Sequence, residues 1–302
     1  MDPTKLERVT PKQEFGSEVL QEPTGLAILR RTDLIAVADG PNGVVIFDKN
    51  DGSVKQHVSD LKDAASICYS TNTNQLIVAT LEPRLYFLDA ADNFRQIRAA
   101  NFHDEPQVDS AYPRRLAVCD DPDGRGMGLL VCTGDNTQAV VFYYRPDTDT
   151  WTLLDEFRGL AEWVSVFPSA NERTRRTKLE MLITCWDETL DWYVTKLTVD
   201  RRTLQLERRQ TVVLPNTQFI NDPWVAYADA DAEVYVYCSK TGYIWQMTSV
   251  DQQEHYVAAN MVAIISAGQS VGIDSEGADF WITCGSDRML KKYFLVKKAA
   301  KT

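Results

Sequence analysis

The chain has 302 residues, 44% of them hydrophobic and 10% aromatic, which is enough apolar material for a large core in one soluble domain. No run approaches the roughly 18 consecutive apolar residues of a membrane span, and the N-terminal MDPTKLERVTPKQEF lacks the basic-then-apolar pattern of a signal peptide, so a cytoplasmic protein without a membrane partner is expected. A net charge of −11 repels polyanions in bulk and makes DNA an unexpected partner.

Taken in chain order, the sequence reads as units of four short strands, a to d. The first unit runs GLAIL, DLIAVAD, GVVIFDK and VKQHV, separated by RRTD, GPNG and KNDG. These separators are the Gly, Pro, Asn and Asp clusters that reverse a chain. The second unit repeats the plan with SICYS, QLIVAT, RLYFLDA and FRQIRAA. In the third, RLAVCDD, GLLVCT, AVVFYYR and WTLLDEF follow, with the a–b turn stretched by PDGRGMG. The fourth has WVSVFPS, EMLITCW, WYVTKLTVD and LQLERRQTVVL, and its charged a–b connection, ANERTRRTK, is expected to project from the surface. WVAYADA, VYVYCS, YIWQMTS and HYVAAN form the fifth. The sixth, SVGIDSE, FWITCG and LKKYFLVKK, lacks a fourth strand, and the N-terminal KLERVTPKQEF has an edge-strand pattern that can supply it.

Every b strand ends on a small residue: Ala38, Ala79, Cys132, Cys185, Cys238 and Cys284, at steps of 41, 53, 53, 53 and 46. A period of this size with several strands per unit is the signature of a β-propeller, one blade per repeat. The expected fold is therefore all-β, a six-bladed β-propeller in one domain. Its blades cover about 22–61, 62–106, 107–159, 160–215, 216–262 and 263–298, the last completed by residues 4–15 so that no open edge is left. Four of the six cysteines occupy one site in successive blades, too far apart for the roughly 7 Å Cα separation of a disulfide, and read as small buried hydrophobes. No CxxC or Cys/His zinc spacing occurs, nor a Gly-rich phosphate loop, Ser elbow or HExxH.

In such a ring one face is built from the connections into strand a and those from b to c. That face would gather Tyr112, Trp163, Trp186 and Trp224 beside Arg84, Arg114, Arg115 and Arg288, residue types that dominate binding hot spots. Residues 158–209 carry ten Lys/Arg against eight Asp/Glu, a local basic excess in an acidic chain.

The segments EPTGLAILRRTDLIAVADGPNGVVIFDKNDG (22–52) and SVGIDSEGADFWITCGSDRMLKKYFL (270–295) resemble the NHL repeat: Pro-x-Gly-hydrophobic, a short turn, a strand ending in Ala-Asp, then a hydrophobic-aromatic c strand. In the middle units the Ala-Asp pair becomes Ala-Thr, Cys-Thr, Cys-Trp and Cys-Ser, so the motif covers about two blades. The repeated Trp-Asp signature of WD-repeat blades is not found, nor the Tyr-Trp-Thr-Asp of the extracellular receptor type. The NHL resemblance, as in tripartite-motif proteins, implies a non-enzymatic interaction module that needs no cofactor and binds a protein or peptide, with RNA as the alternative ligand. A second resemblance, to the six-bladed gluconolactonase and senescence-marker hydrolases, rests on Glu22 at the start of the first a strand. It implies a Ca²⁺ or Mg²⁺ site with Asn221, Asp222 and Asp287, suited to polarising an ester carbonyl.

Overall fold

The computed structural model describes residues 8–294 except 83, 102–112, 121–125, 128, 135–138, 146–147, 149, 158–159, 169–175, 188–190, 204, 214–222, 229–232, 239–241, 250–255, 266–269 and 277–278. Among the described residues no helix is long and apolar enough to cross a membrane.

The chain opens with two short strands, β1 (Arg8–Val9) and β2 (Gln13–Phe15). The first sheet then takes β3 (Gly25–Leu29), β4 (Leu34–Ala38), β5 (Val44–Asp48) and β6 (Val54–Val58) in chain order. The second takes β7 (Ala64–Ser70), β8 (Gln75–Thr80), β9 (Arg84–Asp89) and β10 (Arg95–Asn101). β11 (Pro113–Cys119), β12 (Leu129–Gly134), β13 (Ala139–Arg145) and β14 (Thr150–Phe157) make the third. The fourth is the longest-stranded: β15 (Leu160–Pro168), β16 (Lys178–Asp187), β17 (Asp191–Asp200) and β18 (Leu206–Val213). The fifth has β19 (Pro223–Ala228), β20 (Glu233–Cys238), β21 (Tyr243–Ser249) and β22 (Tyr256–Ile265). In the sixth, β23 (Ser270–Glu276), β24 (Asp279–Cys284) and β25 (Met289–Phe294) are followed by β2. β22 runs to Ile265, past the boundary expected at 262.

In the first two sheets the three inner strands are mostly buried and the outer strand is mostly exposed. In the first sheet β3, β4 and β5 have almost no exposed residue, whereas β6 is mostly exposed. The apolar runs GLAIL, LIAVA and VVIF therefore need no alternation, because neighbouring sheets cover both faces. The first strand of each sheet contacts the first strand of the next, and β23 contacts β3. The small residue at or next to the end of the second strand is fully buried where its side chain is described, at Ala38, Ala79 and Cys284. Cys68, Cys119 and Cys284 are buried and form no disulfide.

The meeting of the first and sixth sheets is built in detail. A Cβ on Gly272 would lie 2.7 Å from Thr283 Oγ1 and 2.9 Å from Gly25 Cα, so β23 and β3 approach at a distance only glycine allows. The Asp274 carboxylate accepts the Ile28 N–H at 2.9 Å and pairs with Arg30 at 3.1 Å, while Lys49 pairs with Glu276 at 2.8 Å. One apolar cluster joins Leu26, Ile28, Val37 and Phe47 of the first sheet to Trp281 and Leu290 of the sixth, with Leu20, Phe15 and Val19 from the N-terminal segment packed into it. The Phe15 ring stands 5.5 Å from Phe47 and 5.8 Å from Trp281. Side chains of this size each contribute about 1.5–3 kcal/mol when fully buried.

One expectation needs correcting. Residues 4–15 do not form a single edge strand on the last unit. Gln13–Phe15 pairs antiparallel with Leu290–Lys292, but Arg8–Val9 pairs parallel with Ile264–Ile265 of the fifth sheet, and residues 1–7 lie outside the described set. Pro11 has no N–H to give a ladder, so the strand breaks there and its two halves serve adjacent sheets.

The fourth sheet encloses an ion pair. Lys196 on β17 and Glu180 on β16 lie 2.8 Å apart with side chains only 3% and 6% exposed. Removing one partner strands a buried charge, so Lys196→Met is expected to cost about 3–5 kcal/mol. The double variant Glu180→Leu/Lys196→Met should recover most of that loss, as chemical denaturation of the three proteins would show.

Candidate functional site

The strand registers decide which connections share an end. Gly25 lies opposite Ala38, Ala64 opposite Thr80, Pro113 opposite Gly134, Leu160 opposite Trp186, Pro223 opposite Cys238 and Ser270 opposite Cys284. In all six sheets the first strand begins where the second strand finishes. We call this the upper end and the opposite one, holding the a–b and c–d turns, the lower end.

Arg84 begins β9, opposite Asn101, is exposed and gives its Nε–H to Asn101 Oδ1 at 3.0 Å. Arg115 lies opposite Thr133, half-buried. Its Nη1 donates to the Thr24 carbonyl at 3.0 Å, reaching from the third sheet past the second to the start of the first. Arg114 falls at a register shift between Pro113 and Arg115, and Trp163 borders another between Ala161 and Trp163, opposite Thr184. Trp186 has Leu160 on one side and Trp192 on the other, while Trp224 lies opposite Tyr237. Arg288 is exposed in the β24–β25 turn at a φ of 53°. Tyr112 lies outside the described residues.

Three features of this end were missed in the sequence. Similar register shifts occur between Ala64 and Ser66 and between Ser270 and Gly272, so four first strands carry an extra residue at equivalent starting positions. Such bulges re-aim a side chain and increase local twist. Trp192, directly across from Trp186, was overlooked because it is the second residue of β17, close behind the polar run DET that reads as a turn. Asp39, the acid of the Ala-Asp pair, is fully buried. It accepts the N–H groups of Gln21 and Glu22, the latter at 2.7 Å, and the Asn42 amide at 2.7 Å. Its task is to hold the segment leading into β3.

Of the four residues named as metal ligands, Asn221 and Asp222 lie outside the described set and Glu22 is exposed. The Asp287 carboxylate is taken up by Lys291 at 2.5 Å and by the Ser286 hydroxyl at 3.1 Å. Lys291 also faces Glu14 of β2 at 3.6 Å. Among the described residues no group of three His, Cys, Asp or Glu is placed to hold a metal ion.

No protein-family model matches the chain, and no curated protein matches it in sequence. Many solved structures match in shape. The β-propeller domain of Cps50 (Swd1) from Myceliophteria thermophila is 11% identical with a TM-score of 0.58, covering 95% of this chain and 99% of that one. A chain of the hydrazine synthase of Kuenenia stuttgartiensis is 11% identical at a TM-score of 0.60, covering 93% and 97%. A chain of a mitotic checkpoint complex is 10% identical at 0.62, covering 98% and 95%. At such identities the likeness establishes the fold: this chain is a β-propeller.

The hydrogen bond and charge of Lys291 hold the Asp287 carboxyl below its ordinary value of 3.8. A carboxyl depressed in the folded state stabilises above its unfolded pKa, and that contribution disappears as pH falls through the folded value. Asp287→Asn should therefore melt below the parent protein at pH 7, with the gap closing as pH falls below 3.8 and through the folded value. Thermal melts of both proteins from pH 7 to pH 2 would check this.

Proposed function

We propose that the chain is a cytoplasmic, non-enzymatic interaction module: a closed six-bladed propeller with NHL-like blades, β2 completing the last one, that binds a protein or peptide across its upper end. The observation that carries this reading is the shared register. Within each sheet the start of the first strand and the end of the second lie together, which supports reading Arg84, Arg114, Arg115, Trp163, Trp186, Trp224 and Arg288 as residues of one end of the fold. Aromatic and Arg side chains supply large contact area and planar hydrogen bonding, the usual anchors of a protein interface. One structural neighbour is a chain of a mitotic checkpoint complex, a setting in keeping with protein partners. The net charge of −11 weighs against RNA, whose affinity comes chiefly from neutralised phosphates.

The test is selection from a displayed peptide library on the immobilised full chain. Selected peptides should bind at least tenfold more weakly to Arg84→Glu/Arg288→Glu, two exposed positions, with an unchanged melting temperature. Binding indifferent to both changes would overturn the upper-end assignment. Melts in excess Ca²⁺ or Mg²⁺ against EDTA provide the second arm. A bound metal at about 100 times its dissociation constant would contribute about 2.7 kcal/mol. No shift is expected, whereas a rise abolished by Glu22→Gln would turn the assignment toward the hydrolase chemistry.

A further inference from the structure

Three of the seven tryptophans fall on one face of the fourth sheet at its upper end. In an antiparallel ladder, residues directly opposite each other share a face, and so do residues two apart on one strand. Trp186 lies opposite Leu160 of β15 and opposite Trp192 of β17. Thr184, two residues before Trp186, lies opposite Trp163 and Val194. Trp163, Trp186 and Trp192 therefore occupy two neighbouring rungs of a single face. Trp163 takes its place there only through the register shift between Ala161 and Trp163; without the extra residue, Glu162 would stand opposite Thr184.

Two further features of this place call for a ligand. The Thr184 side chain is fully buried, and among the described residues its hydroxyl has no hydrogen-bond partner. A polar group shut away from water costs free energy until something bonds to it. Beyond Trp186 and Trp192, at the last pair of the ladder, Asp187 lies directly opposite Asp191. Like charges at such a pair, with Cβ atoms about 5 Å apart, are destabilising. A positive charge brought to this end would offset the repulsion. Deeper on the same face Lys196, opposite Leu182, is already matched by Glu180 at 2.8 Å.

We propose that the upper end of the fourth sheet anchors a basic side chain, Lys or Arg, of the protein or peptide partner. The assignment rests on the upper-end reading given above and names the residue type that this end receives. Tryptophan is the ring against which a cation is held best. The Asp187 and Asp191 carboxylates supply the opposite charge, and charge-assisted hydrogen bonds to them are the strong ones. The Thr184 hydroxyl supplies an acceptor for an ammonium or guanidinium N–H. An apolar side chain would suit the tryptophans but leave the hydroxyl and the opposed carboxylates as they are, and a phosphate would add a third negative group.

The experiment uses the full chain and three synthetic peptide libraries on beads that differ only in a fixed central residue: Lys, norleucine or Glu. Retention is read at about 200 mM NaCl, where attraction to the overall charge is screened. The Lys library should retain at least tenfold more protein than the norleucine library, which has the same chain without the charge, and the Glu library least. Asp187→Asn/Asp191→Asn should lose the Lys preference while melting no lower than the parent, because the opposed charges are gone. Thr184→Val should reduce the preference with the fold kept, and Trp186→Leu/Trp192→Leu should abolish it. Equal retention by the Lys and norleucine libraries, or a Lys preference unchanged in Asp187→Asn/Asp191→Asn, would overturn the proposal. Peptides that lose binding to Arg84→Glu/Arg288→Glu yet show no Lys preference would overturn the anchor and leave the upper-end reading standing.

Discussion

The structure depends on how its first and last sheets are joined. Each sheet buries both faces of its inner strands against neighbours, so the first and sixth sheets would each leave an apolar face bare unless they met. They meet through the approach of Gly272 to Gly25, the Asp274 carboxylate on the Ile28 N–H, and a shared apolar cluster from Leu26 to Trp281. The pairing of Gln13–Phe15 with Leu290–Lys292 adds what the C-terminal unit lacks, an outer strand over β25. Without it β25 would expose an unpaired edge and Phe15 would leave the cluster, so both ends of the chain are committed to one seam.

From this seam the upper end takes its order. The segment leading out of β2 is fastened by Asp39, fully buried, to the end of β4, and Thr24 then receives Arg115 from the third sheet. The N-terminal segment thus runs from the seam between the first and sixth sheets to the start of β3, where Arg115 reaches it. The fourth sheet departs from the pattern in two ways: its strands are longer, and it encloses the Glu180–Lys196 pair. A buried pair is a weak source of net stability but a strong penalty when broken, which makes this sheet sensitive to single changes.

Much of the architecture was legible in the sequence because one constraint repeats. The small residues from Ala38 to Cys284 each lie within two residues of the end of a second strand, and the turn clusters GPNG and KNDG fall where the chain reverses, with Gly43 and Gly52 at positive φ. The recurring step marked those positions because only a small side chain suits that site in sheet after sheet. What escaped were features with no compositional signal. A bulge such as the one at Arg114 inserts one residue into a ladder and leaves the hydrophobic pattern intact. The division of residues 8–15 between two sheets turns on the missing N–H of Pro11, which reads equally well as a bend within one strand. Asp39 reads as a turn former, and only the fold reveals that its carboxylate gathers donors from the preceding segment. Asp287, chosen as an oxygen ligand, is neutralised by Lys291 four residues later, a pairing across a turn that spacing alone does not announce.

The most direct measurement of the central claim is amide hydrogen exchange by mass spectrometry on the full chain and on the chain lacking residues 1–15. If the N-terminal strand closes the fold, protection will fall in β25 and in β3, on both sides of the seam, while the second and third sheets keep most of theirs. Unchanged protection in β25 and β3 after the deletion would contradict the account and leave the N-terminal segment as an accessory to a fold closed by other means.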